Sequence, residues 1–227
     1  MKKLILFIAV CFCATSLFAQ SAEELKNAGN DALRSKDYKT ALEKYEAFLG
    51  AEDTFEDTAL VFNAAYCANK SKDYAKAEKY FAQSVANNYK LSKSYQYLAL
   101  VLKKQKKYDE MVATLNKGIE ACPTKNKKLK ASLAKHYFSA AQKANNFEKS
   151  EDLYKKAAGI ESKYKETALL ALGQLYYNKG AEFWPANQPK AKSYFEKSTN
   201  TLNDVLKMNP GRKEASDLIA TIKGLVK

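Results

Sequence analysis

Apolar residues recur along most of this chain at intervals of three and four, the spacing that sets them on one face of a helix. Between Ser92 and Thr124 two such stripes flank the polar run Lys103-Lys104-Gln105-Lys106-Lys107. Tyr95, Leu98, Ala99 and Leu102 make the first, and Tyr108, Met111, Leu115, Gly118 and Ile119 the second. Cys122-Pro123 ends it, because proline lacks the amide hydrogen of a helix interior. Neither helix can bury its stripe alone, so the pair must pack on itself and on copies of itself.

Copies are present. The aromatic that opens the second helix recurs at Tyr38, Tyr74, Tyr108 and Phe147, with gaps of 36, 34 and 39 residues. Three residues after each stand Ala41, Ala77, Met111 and Ser150, mostly small, where two helices approach. Seven after each stand Tyr45, Phe81, Leu115 and Tyr154, which fill the space between hairpins. Gly29 offers the same room on a first helix. A fifth unit opens at Leu172-Gly173 and regains the spacing at Phe195, Ser198, Leu202, Val205 and Pro210. The insertion between them predicts a hairpin lengthened by about two turns per helix. Pro185 and Pro189 cap it, and Trp184 stands at its tip, either to pack that tip or to anchor a partner. From Arg212 a last helix carries Leu218, Ile219, Ile222, Leu225 and Val226 on one face, a pattern suited to closing a stack.

This pattern resembles the tetratricopeptide repeat family, whose unit of about 34 residues is a helix-turn-helix with that alternation of small and large positions. The resemblance covers about Ala22 to Pro210. It implies an all-α fold. The expected form is a right-handed α-solenoid of about five hairpins over residues 20–210, with residues 211–227 as a capping helix.

The first 19 residues stand outside this pattern. Lys2 and Lys3, an apolar run and small residues before Ala19 are the layout of a secretory signal peptide cut between Ala19 and Gln20. The run is shorter than the ~20 residues of a spanning helix. Val10 and Phe12 precede Cys11 and Cys13 where a lipoprotein signal would carry a small residue. The expected location is the periplasm or envelope of a Gram-negative bacterium. Removing the leader lowers the net charge from +13 to +11 and leaves two cysteines. Cys67 lies within a first helix and Cys122 ends a second, so both are expected as buried or free thiols.

Catalytic chemistry has little to draw on. His136 is the single histidine, which excludes histidine-based metal clusters and dyads. No phosphate-binding or nucleophile-elbow motif occurs, and the reading is of a non-enzyme without cofactor or metal. Binding has more. In the family, first helices line a groove, and the matching positions here are Lys26, Asn30, Phe62, Asn63, Tyr66, Lys93, Gln96 and Tyr97, with Lys135 and His136 from the fourth repeat. The set is similar to the carboxylate clamp of cytosolic co-chaperones, with Lys26, Asn30, Asn63 and Lys93 at clamp positions. Tyr97 stands where the clamp has an arginine, which removes a bidentate carboxylate partner. Lysine and asparagine are also common on exposed helix faces, so these residues read equally as a solvated surface.

Three functions follow as expectations: a scaffold binding a peptide or protein, its groove suited to an acidic C-terminal tail; an assembly subunit of an envelope complex; and an electrostatic binder of anionic envelope surface. Nucleic acid is disfavoured by export and by scattered basic residues. Exported mature protein should begin at or near Gln20; N-terminal sequencing of the major cellular form that returns Met1 overturns this.

Overall fold

The polar breaks between stripes are where one helix stops and the next is capped. A computed structural model describes residues 21–51 and 57–226, and among these the chain forms eleven helices and no strand. The leader and its cut site lie outside the described residues. The helices are α1 (Ala22–Arg34), α2 (Tyr38–Leu49), α3 (Thr58–Lys70), α4 (Tyr74–Ala86), α5 (Leu91–Lys104) and α6 (Tyr108–Ala121). They continue as α7 (Lys127–Ala141), α8 (Phe147–Gly159), α9 (Lys165–Phe183), α10 (Gln188–Met208) and α11 (Lys213–Leu225). The second helices thus open at the four aromatics that carry the repeat. The described residues divide into two compact units, the first ending at Met111 and the second beginning at Val112.

Three of the hairpin turns share one construction. After α1 the Ala32 carbonyl accepts from the Asp37 amide at 2.9 Å and the Leu33 carbonyl from Lys36 at 3.1 Å. This pair of bonds closes a helix on a left-handed residue. Lys36, Lys72 and Lys106 hold that place with φ of 64°, 65° and 64°. In the first two turns the next residue caps the following helix: Asp37 Oδ1 accepts from the Thr40 amide and Asp73 Oδ1 from the Lys76 amide, each at 3.1 Å. The repeated Lys-Asp-Tyr is therefore one turn residue, one cap and one first helical residue. Hydrogen bonds from the Thr40 side chain and then its amide hold the Asp37 carboxyl below its ordinary value.

In the first unit Ala41, Ala77, Tyr45 and Phe81 have no exposed surface. A Cβ added at Gly29 would stand 2.7 Å from the Tyr45 ring, so any other residue would force α1 and α2 apart. In the second unit a Cβ at Gly173 would meet Leu202 at the same 2.7 Å. There the Ser198 hydroxyl donates to the Gly173 carbonyl at 2.7 Å, a polar contact possible only between closely packed helices. Ser150 does likewise to Ala141 at 3.3 Å.

Helix α9 has 19 residues and α10 has 21, whereas the other described helices have 12 to 15. Trp184 ends α9 with its ring on Phe195 at 5.7 Å between centroids. It packs the tip. Pro189 lies in the first turn of α10, where its missing amide hydrogen costs nothing, and Asn187 caps that helix through the Lys190 amide at 3.0 Å. Helix α11 buries Ala215, Ile219 and Ile222, while Leu225 stays 39% exposed at its end. Cys67 and Cys122 are buried free thiols, and burial pushes the Cys67 thiol up to about 12.

A lysine in the left-handed region is held there at a cost of about 1 kcal/mol, which glycine avoids and a β-branched residue increases. Thermal melts followed by circular dichroism should rank Lys72→Gly above wild type and Lys72→Val below it. Any other order would mean that the turn does not strain its lysine.

Candidate functional site

Helices α1, α3 and α5 carry the candidate groove residues of the first unit, and most of those side chains already have partners. Lys26 Nζ lies 2.7 Å from Asp57 Oδ2, with 43% of the lysine and 23% of the aspartate side chain exposed. Asp57 also caps α3, accepting from the Ala59 and Leu60 amides at 3.0 Å each. Burial would raise its carboxyl, but the bonds from Lys26 and the two amides outweigh that and hold it below its ordinary value.

Asn30 and Asn63 meet at one buried hydroxyl. Tyr45 donates to Asn30 Oδ1 at 2.9 Å, and Asn63 lies near enough to act on the same hydroxyl. Burial pushes the Tyr45 hydroxyl up to about 12, so it stays a neutral donor. The asparagine pair sits on a residue that sequence spacing assigned only to packing.

The aromatic residues form a packed cluster. Phe62 is 5% exposed and belongs to the core, which corrects the expectation that it lines a groove. Its ring meets Phe81, Tyr89 and Tyr97 edge to face at 5.6, 5.9 and 6.0 Å. Tyr97 stacks on Phe81 at 5.2 Å with rings 4° apart, and Tyr66 meets Tyr97 and Tyr38 edge on at 6.0 Å. Tyr66, Tyr97 and Gln96 are half-buried, and Lys93 is exposed. Lys70 lies over the Tyr66 and Tyr38 rings at 5.3 and 5.9 Å, a contact that helical spacing alone did not suggest.

Lys135 and His136 stand on α7 in the second unit. Lys135 is exposed, and His136 is half-buried with its ring 5.7 Å from Tyr137. A shallow depression elsewhere in that unit is lined by Asn200, Asn203, Asp204, Leu206 and Lys207 of α10 alone, and brings no chemistry together. Among the described residues no group of three histidine, cysteine or acidic side chains could hold a metal ion. None of the described helices is long and apolar enough to cross a membrane.

Lysine-carboxylate pairs join successive hairpins of the first unit. Lys26–Asp57 links α1 to the cap of α3, Lys76–Glu46 links α4 to α2 at 2.7 Å, and Lys107–Glu78 ties the third turn to α4 at 2.9 Å. Tyr80 donates to Glu46 at 3.1 Å, and Gln105 to Glu78 at 2.6 Å. Burial would raise Glu78, but Lys107 and Gln105 prevail and hold it below its ordinary value.

No protein-family model matches the chain. A TPR repeats protein from Bacteroides fragilis has a crystal structure similar to this one, with 32% identity over 91% of this chain and 100% of that chain and a TM-score of 0.80. The MamA protein aligns at 17% identity over 83% of this chain and 95% of its own, with a TM-score of 0.49. YrrB, titled a TPR protein with an unusual peptide-binding site, aligns at 14% identity over 87% and 91%, with a TM-score of 0.45.

Carboxylates with lowered native values stabilise the fold above their unfolded values and lose that contribution as pH falls through the native ones. The unfolded values of Asp57 and Glu78 are 3.8 and 4.5. The melting temperature should therefore decline as pH falls from about 5 to about 3. In Asp57→Asn/Glu78→Gln the decline should be shallower; an equal slope would mean that these pairs do not hold the hairpins together.

Proposed function

The chain belongs to the tetratricopeptide repeat family, and on that premise we propose that it is an exported scaffold taking the tail of a partner protein on α1, α3 and α5. The scaffold role follows from the family. The choice of face rests chiefly on the Tyr45 hydroxyl, which fixes the Asn30 amide of α1 beside Asn63 of α3. Asn30 is bonded through its carbonyl oxygen, so its amino group is left to donate. Lys93 adds an exposed ammonium from α5. The half-buried rims of Tyr66 and Tyr97 supply apolar surface for a side chain next to the carboxylate.

Lys26 enters by exchange. Its pair with Asp57 is partly open to solvent, and such pairs contribute only about 0–1 kcal/mol. A ligand carboxylate can therefore replace Asp57 at small cost. Tyr97 is committed to Phe81 and brings no cation, so the face suits one carboxylate rather than two. Asp57 then acts as an internal competitor for the lysine.

The direct measurement is fluorescence titration with an acidic peptide bearing a free C-terminus, against the same peptide amidated. Lys93→Ala and amidation should each weaken binding by about tenfold, the loss of one hydrogen bond to a charged group. Asp57→Asn keeps the α3 cap and releases Lys26, so it should tighten binding severalfold. Equal affinity for both peptides, or unchanged affinity in Lys93→Ala and Asp57→Asn alike, would end this reading.

A further inference from the structure

The positive charge of the chain is unevenly held. Val112–Lys227 carries 21 lysines and arginines against 11 acids, a net +10 of the +13 in the whole chain. Within this unit, lysines gather on aromatic faces at the far end of the long hairpin. Helix α8 begins at Phe147, whose ring meets Tyr176 of α9 at 6.2 Å and Tyr194 of α10 at 5.5 Å. Beyond those contacts α9 continues to Phe183, and α10 starts at Gln188. About two turns of each helix therefore overhang the end of α8.

On the overhang Phe183 stacks on Tyr194 at 5.8 Å with the rings 13° apart. Lys190 Nζ lies 3.9 Å from the Phe183 centroid, and Lys197 Nζ 5.2 Å from that of Tyr194. Lys179 also lies over Phe183, at 5.2 Å, but is paired with Glu182 at 2.9 Å. Lys197 feels the Glu151 carboxylate, which is already bonded to Lys155 at 2.6 Å and Tyr176 at 2.7 Å. Among the described residues neither Lys190 nor Lys197 has a carboxylate within ion-pair distance. A ring face orients an ammonium group without neutralising it. Both lysines are exposed and keep their charge for an incoming anion.

Their spacing selects the anion. Seven residues place Lys190 and Lys197 on one face of α10, about 10 Å apart along its axis. A chain in polyproline II conformation covers about the same distance in three residues and returns every third side chain to the same edge. We propose that the end of the long hairpin docks an acidic segment of a partner protein in polyproline II conformation, with acidic side chains three residues apart on Lys190 and Lys197. Its backbone would lie along the Phe183–Tyr194 pair. The rings are a poor fit for other anions. Ammonium groups already cover their faces, which removes the stacking platform that unpaired bases need. Trp184, the ring best suited to a lipid interface, is packed on Phe195.

The test is a fluorescent peptide with aspartate at every third position, capped at both ends and titrated into the full-length protein at about 0.15 M salt. Capping removes the terminal carboxylate, so a clamp on α1, α3 and α5 contributes nothing to the signal. Wild type should bind, and Lys190→Ala/Lys197→Ala should weaken binding by about tenfold or more. Lys127→Ala/Lys128→Ala removes two exposed charges from α7 of the same unit and should change affinity less than about twofold. Circular dichroism should give all three proteins the same helicity. The proposal fails if wild type does not bind the peptide or if the two double variants weaken it equally. It also fails if oligothymidine, or vesicles of phosphatidylglycerol and phosphatidylcholine, bind more tightly than the peptide.

Discussion

Within each hairpin two helices approach so closely that a side chain on one must be matched by near absence of a side chain on the other. Gly29 against Tyr45 and Gly173 against Leu202 set that distance in the two units, with 2.7 Å available where a Cβ would stand. A single hairpin buries one stripe of each helix, and the remaining apolar surface must be covered by the next hairpin. The large residue seven positions after each opening aromatic is what reaches that neighbour. Tyr45, Phe81, Leu115 and Leu202 are each no more than 1% exposed. Close packing of this kind tolerates neither added nor missing volume.

The same constraint governs the polar residues. A helix pair in contact leaves only its turns and outer edges for charge, so lysine is used there in three different ways. Lys36, Lys72 and Lys106 close turns in a conformation that glycine more often occupies. Lys26, Lys76 and Lys107 join successive hairpins to carboxylates. Lys70, Lys190 and Lys197 lie on aromatic rings instead of carboxylates. A ring leaves the charge of these last uncompensated, and two of them stand on α10 toward the end of the long hairpin. The two proposed surfaces thus differ in kind. On α1, α3 and α5 a ligand must displace an internal partner, whereas on α9 and α10 it meets cations that no carboxylate occupies.

Periodicity and capping are local, so the sequence by itself determined the hairpins, their opening aromatics, the small and large register and the long fifth pair. A 3.6-residue repeat, an aspartate before a tyrosine and a proline in a first turn act over a few residues and mean the same in any context. Positions inferred to face a groove are not local. Phe62 satisfies the spacing of an exposed position, yet Phe81, Tyr89 and Tyr97 enclose it, from as far as 35 residues along the chain. Lys26 meets Asp57 across 31 residues, and Tyr45 meets Asn30 across 15. Only the packing of one hairpin on the next decides which of two neighbouring lysines finds a carboxylate and which finds a ring, because both partners come from elements the helix itself does not contain.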